Sequence, residues 1–310
     1  MIIRRRALGA LLSWFESKGY SGCTVMLHPL CCDELKCMLL ALNCRLIYVD
    51  IDKQTLCSSL GSIKRMSEYS VDIFINIRSF GFSGNMEPLF SQVKNIFPGV
   101  VIIDDRCLCK PTLPIENKIV DGCADVELYS TGYSKYVDLG WGGYLVTSDA
   151  VEINYNPKYD ENIYKKIADS NDSQLKCNTL GWIDDRALNH VYYPAVVESS
   201  FVLVNKHKMN NNLIYNNLLE NIPSITILNE HQDWRFNILL EQRDLLKEQI
   251  FNAGFFCSSH YAANNLGAFA SDCLVESNNI ANNIINLFND FRVTHKDVDN
   301  VARLIKNEFD

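Results

Sequence analysis

The residues best placed to do chemistry lie in one stretch, Ala124 to Asp149, ADVELYSTGYSKYVDLGWGGYLVTSD. An apolar strand closes on Ser130, and a loop then presents Lys135 ahead of Gly140, Gly142 and Gly143. A second apolar strand, Tyr144 to Thr147, follows at once. An amine fixed between buried strands loses its proton easily and can attack a carbonyl. Taken alone, a lysine ahead of a glycine hairpin is more often an ordinary solvated residue. A second group, His28, Cys31, Cys32 and Cys37, suggests metal binding, but its C-C and C-x₄-C spacings are not those of zinc ligands. No metal site is expected. Cys107 and Cys109 read as strand-end thiols.

The elements that must position this loop alternate along the first half of the chain. Strands are expected at Thr24–Leu27, Arg45–Val49, Asp72–Ile77 and Val100–Ile103, the last running into Asp104 and Asp105. Helical spacing covers Cys31–Leu42, Ser58–Met66 and Asn85–Ile96. Strands alternating with helices imply βαβ units, a mainly parallel sheet, and ligands at the carboxyl ends of its strands. Leu8, Leu11, Leu12 and Phe15 share one helical face, which predicts an amphipathic helix near the start. That start has three arginines before ALGALLSWF, yet Glu16, Ser17 and Lys18 follow directly and no small-x-small cleavage site appears, so it does not read as a signal peptide.

Beyond Asp149 the pattern weakens. Asn154–Leu180 is polar and rich in asparagine, which suggests a long surface excursion, and Arg186–Leu203 mixes aromatic with apolar residues. Met209–Leu219, Arg243–Ala253 and Thr294–Asn307 have helical spacing, with strands at Ile225–Leu228 and Phe236–Leu240. A large domain over residues 1–155 and a smaller α+β domain over 156–310 fit this order.

The lysine stretch resembles the cofactor-lysine region of the DegT/DnrJ/StrS sugar nucleotide aminotransferases, whose pattern there is G-D-I-x-x-F-S-F-H-x-x-K-x-x-x-x-G-x-G-G. Ala124-Asp125-Val126 stands at G-D-I, Tyr129-Ser130 at F-S, Lys135 at the lysine, and Gly140, Gly142 and Gly143 at the glycines. Gly132 stands where the family has histidine. The likeness extends to RRRALGALLSWFESKGYSGCTVML, LNCRLIYVDID, NIRSFGFSGNMEPL and IIDDRC, and more weakly to RFNILLEQRDLLKEQIFNAGFFCSSHY and the closing helix.

This resemblance implies an α/β chain of the PLP-dependent transferase fold type I, with a mainly parallel sheet flanked by helices. It implies that pyridoxal 5'-phosphate (PLP) is held by Lys135, the general acid/base of transamination. Asp105, 30 residues earlier, takes the place of the carboxylate that pairs with the pyridine nitrogen; Asp104 is the alternative by a one-residue slip. Ser130 is implied for the phosphate. The family's phosphate-binding G-x-S before the first helix is replaced by Arg4-Arg5-Arg6, so Arg5 or Arg6 can substitute. Where the family stacks an aromatic on the ring, this chain has Leu30, Cys31 and Cys32, which leaves a thin apolar contact. His260 and Tyr261 match a substrate-side pair. The family also has a few tens of residues ahead of the first helix, a segment that helps wall the active site; here it is expected to be missing or replaced by another element.

The implied activity transfers an amino group from glutamate or glutamine to a nucleotide-linked keto-sugar, in a homodimer with active sites at the subunit interface. The departures at the phosphate loop and the stacking position support an alternative, a catalytically degenerate relative serving as a structural, regulatory or partner subunit. A dehydratase is disfavoured, because the family's dehydratases carry histidine in place of the lysine. Bulk properties agree with an ordinary cytoplasmic enzyme. The 310 residues are 47% hydrophobic and 21% charged, with a formal net charge of -8, against the basic stripe expected of a nucleic-acid binder. No apolar run reaches membrane-spanning length. Twelve cysteines sit in apolar runs or irregular pairs, which fits free thiols in a reducing compartment.

Overall fold

Apolar runs bounded by glycine or aspartate form the centre of the molecule. The computed structural model describes residues 1–120, 122–149, 188–189 and 191–309. Strand β1 (Ile2–Arg4) precedes helix α1 (Ala7–Lys18); then come β2 (Thr24–Leu27), α2 (Asp33–Ala41), β3 (Arg45–Tyr48), α3 (Leu60–Arg65), β4 (Ile73–Ile77) and α4 (Glu87–Ile96). Strands β5 (Val101–Asp105), β6 (Val126–Ser130) and β7 (Gly143–Thr147) complete the first half. The second half has α5 (Tyr192–Leu219), β8 (Thr226–Ile227), β9 (Phe236–Leu239), α6 (Arg243–Asn252), β10 (Cys257–Ser258), β11 (Ala268–Ser271), α7 (Val275–Asn283), β12 (Ile284–Leu287) and α8 (His295–Phe309).

Eight strands form one sheet in the order β1-β7-β6-β5-β4-β2-β3-β11, and four form a second in the order β10-β12-β9-β8. In the larger sheet β6, β5, β4, β2, β3 and β11 run parallel, while β7 runs against them at one edge and pairs antiparallel with both β6 and β1. This is an α/β architecture with a mostly parallel mixed sheet flanked by helices. The four-stranded sheet is antiparallel and carries its own core, in which Phe236, Ile238, Ile285 and Leu287 meet Val298 and Ile305 of α8.

Two expectations need correction. Helix α1 is not amphipathic: Ala7, Gly9, Ala10, Leu11, Leu12, Trp14 and Phe15 are all buried, and only its last turn reaches solvent. A helix apolar all round belongs in a core, and α1 packs on β1, β6, β7 and α2. Strand β1, hidden in the basic start, was not expected as an element; it pairs Ile2 with Leu145 and Arg4 with Gly143. The proposed surface excursion 154–180 and the boundary at 155 fall outside the described residues. β11 comes from the second half of the chain yet extends the larger sheet beside β3. Among the described residues no helix is long and apolar enough to cross a membrane, and every cysteine is a free thiol.

Candidate active site

Two adjacent carboxylates at the end of β5 leave the strand on opposite faces, as side chains in a strand must. Asp104 is fully buried and ion-paired to Arg78 at 2.9 Å, with Asn76 Nδ2 donating to it at 3.0 Å and Arg106 at 3.5 Å. Arg106 also reaches Glu127 at 3.4 Å, and Glu127 accepts the hydroxyl of Tyr129 at 3.1 Å. Asp105 turns the other way. It lines a cavity of about 220 Å³ whose wall also carries Lys135. Its Oδ1 accepts the backbone N–H of Cys107 at 2.9 Å. Burial pushes the Asp105 carboxyl above the usual carboxylate range; the Cys107 hydrogen bonds and the Lys135 charge oppose the shift without cancelling it.

Lys135 is half-buried, so the fully desolvated amine expected from the flanking strands is not found. The loop that carries it is pinned on both sides. The Ser134 N–H donates to Asp138 at 2.6 Å, the indole N–H of Trp234 donates to the Ser134 carbonyl, and Arg235 donates to the Ser134 hydroxyl at 2.6 Å. Below the loop the Thr131 hydroxyl donates to the Trp141 carbonyl at 2.9 Å. The glycine pair has a steric cause. A Cβ on Gly143 would lie 2.4 Å from the Ala7 backbone, so only glycine lets β7 pass the start of α1. Gly142 has φ +97°, and a Cβ there would lie 2.5 Å from the Thr131 hydroxyl oxygen.

That close passage brings the start of α1 to the cavity. Arg6, Ala7 and Leu8 line it together with Ser130 and Gly132. Arg6 is the N-cap residue in an extended conformation, and no side chain caps the helix. The first-turn N–H groups of such a helix lack intrahelical partners and favour an anion. The Ser130 hydroxyl oxygen accepts the Gly132 N–H at 3.3 Å, and Arg6 Nη1 lies 3.7 Å from the point a Cβ on Gly132 would occupy.

The remaining wall is formed by Cys31, Cys32, Leu35, Cys107 and Tyr261. Burial pushes Cys31 up to about 12 and raises Cys32 and Cys107 as well, so these thiols stay neutral and act as apolar surface. The structure thus brings Lys135, Asp105, Ser130, Arg6, Cys32 and Tyr261 to one cavity. Asp104, Arg5 and His260 it does not. Asp104 is spent on Arg78 across the sheet, the exposed Arg5 accepts the Gly142 N–H at its carbonyl at 2.7 Å, and His260 is exposed with its ring beside Trp234. Glu34, Arg78 and Tyr133 also line the cavity and were missed in the sequence, Arg78 while its guanidinium pairs with Asp104. For Tyr133 a signal existed, since it stands two residues before Lys135. No group of His, Cys, Asp and Glu among the described residues is arranged to hold a metal ion.

No protein-family model matches the chain, and no curated protein matches it by sequence. Solved structures do match by shape. A DegT DnrJ EryC1 StrS aminotransferase from Brucella abortus aligns over 99% of this chain and 85% of its own, with TM-score 0.72 and 14% identity. Helicobacter pylori PseC, an aminotransferase involved in the biosynthesis of pseudoaminic acid, aligns over 99% and 86% with TM-score 0.74 and 16% identity. DesI, solved in the presence of its TDP-sugar product, aligns over 99% and 79% with TM-score 0.75 and 14% identity. The chain has the fold of these enzymes. At such identities the likeness concerns architecture, and the reading of the site rests on the residues in the cavity.

Proposed function

We propose that the chain is a PLP-dependent aminotransferase of the DegT/DnrJ/StrS kind, moving an amino group from glutamate or glutamine to a nucleotide-linked keto-sugar. The observation that carries this reading is the convergence on one cavity of an amine, a buried carboxylate and an anion-binding helix start. The residues fit the cofactor. Asp105, buried and raised in pKa, regains its ionised form beside a cation, which a protonated pyridine nitrogen supplies. Arg6, the Ser130 hydroxyl and the uncapped start of α1 offer a guanidinium, a hydroxyl donor and backbone N–H groups to a phosphate.

When bound, PLP supplies an electron sink for the carbanion left when a proton leaves the substrate carbon. The chain does the rest. Lys135 would hold the cofactor through its amine, and the same amine, when free, would move the proton at the substrate carbon. Asp105 holds the proton on the ring nitrogen. Cys31, Cys32 and Cys107, all neutral, keep water from the ring. The nucleotide-sugar acceptor is supported by the resemblance at the lysine stretch and by the architecture shared with DesI and PseC. A homodimer belongs to the same reading, as does a reducing cytoplasm, which the free thiols support.

The test is a titration of the purified protein with PLP, followed by its visible absorbance. Wild type is expected to develop the absorbance of lysine-bound PLP and to transfer nitrogen from glutamate or glutamine to a keto-sugar nucleotide. A wild type that binds no PLP sinks the proposal.

A further inference from the structure

The end of β2 offers no aromatic ring to the cavity: Leu30, Cys31 and Cys32 occupy the positions where one would be looked for. A ring does reach it from the other half of the chain. Tyr261 follows β10, lines the same cavity as Lys135 and Asp105, and stands at the junction of the two halves. Its ring lies nearly parallel to that of Trp234, 11° between planes with centroids 6.5 Å apart, and Phe80 backs it at 6.5 Å. Burial raises its hydroxyl well above the ordinary range, and the groups that raise it further are Cys32, Asp105, Cys31 and Cys107, its neighbours in the cavity wall. The three cysteines are the wall around the Asp105 carboxylate.

Its placement is enforced. The fully buried Lys36 of α2 donates to the Pro29 carbonyl at 2.9 Å and to the Asn264 side chain at 2.8 Å. Asn264 in turn donates to Asp33 at 3.0 Å. This clamp ties the segment after Tyr261 to the loop that carries Cys31 and Cys32. At the other end, the His260 N–H donates to Asn286 at 2.8 Å. A tyrosine held at both ends and backed by two aromatic rings is a wall, rather than a surface side chain that closes on a passing sugar.

We propose that Tyr261 provides the aromatic contact to the cofactor ring that the end of β2 lacks, with Lys36 and Asn264 as its positioning residues. The inference rests on the PLP reading above and departs from the substrate-side role suggested by the sequence. An aromatic face meeting a flat ring contributes beyond the area it buries, whereas the hydroxyl is not required for that contact.

Equilibrium PLP affinity, read from absorbance without any amino-group substrate, tests it in three variants. Tyr261→Phe is expected to bind as wild type. Tyr261→Leu, apolar and similar in bulk, is expected to lose about ten-fold in affinity. Asn264→Ala, which opens the clamp without touching the cavity wall, is expected to lose affinity in the same direction. Thermal melts of the cofactor-free proteins show that each variant folds. If Tyr261→Leu folds and binds PLP as tightly as wild type, the inference is overturned, and a rise confined to the KM of the sugar substrate would return Tyr261 to the substrate side. Wild type failing to bind PLP removes this inference together with the proposed function, whereas a wild type that binds beside an unaffected Leu variant removes this inference alone.

Discussion

Asp104 and Asp105 are neighbours of the same chemical type, and the structure treats them in opposite ways. On one face of the sheet Asp104 meets Arg78, Asn76 and Arg106, and the network continues through Glu127 to Tyr129. Charge is balanced there within the chain. On the other face Asp105 is buried against thiols and has one backbone N–H of Cys107 and the more distant Lys135 to favour its ionised form. A buried ion pair that is complete serves the fold; a buried carboxylate left short of positive charge is prepared for a cation brought from outside. Burial alone does not separate the two roles, and the inventory of partners does.

Five substitutions sharpen or break this contrast. The largest effect is expected for Lys135→Ala, which should abolish both the visible absorbance of bound PLP and amino transfer while leaving the melting curve of the cofactor-free protein near wild type. Next in size, Asp104→Ala strips Arg78 of its carboxylate and should cost about 3–5 kcal/mol in urea unfolding; a loss under about 1 kcal/mol would mean that the network does not hold this face together.

Asp105→Asn is expected to do the reverse. Activity should fall by about 10²-fold or more, the scale of losing one preorganised electrostatic partner, while the cofactor-free protein becomes no less stable. The sign follows from the raised pKa. A carboxyl that holds its proton more tightly in the fold favours folding below its unfolded pKa, and that contribution is lost as pH rises through the folded value. The melting temperature of Asp105→Asn relative to wild type should therefore climb from acid toward neutral pH, and a difference that shrinks over that range would contradict the assignment. The smallest effect concerns the phosphate end. Arg6→Met should weaken PLP binding by about 10- to 100-fold, as expected for charge-assisted hydrogen bonds, whereas Arg5→Met should leave it unchanged because Arg5 stands outside the cavity.

Much of the central sheet was legible in the sequence. β2 matches its apolar run residue for residue and β3 and β4 differ from theirs by one residue, because buried parallel strands are continuous apolar runs; β7, antiparallel but buried along its whole length, also differs by one. β5 runs two residues further than expected, which carries Asp104 and Asp105 within the strand itself. Elements whose pairing lies far away in sequence were not legible. β1 is three residues within a basic run and exists as a strand only because β7 pairs with it. β11 carries an exposed Phe269 and no alternation, and its partner β3 lies more than 200 residues earlier. The amphipathic reading of α1 failed because counting one apolar face overlooked Ala7, Ala10 and Trp14, which are buried on the others.

Lys135 of the cavity wall, and the glycines that follow it outside the cavity, were legible because their spacing is local. Choosing between Asp104 and Asp105, or between Arg5 and Arg6, needed the facing of a strand and the turn of a helix start. Nothing local to the sequence sets those. Tyr261 was noticed only as half of a dipeptide, since what brings it to the wall is a lysine 225 residues away.

The parallel pairing of β11 with β3 also bears on how the molecule moves. Ala268, Ala270 and Ser271 are stitched to Leu46, Ile47 and Tyr48, and the Tyr48 hydroxyl donates to the Leu266 carbonyl at 2.8 Å. The later half is thus joined to the far edge of the sheet through β11 as well as to the lysine loop through Trp234 and Arg235, so moving it as one lobe would have to break contacts at both places.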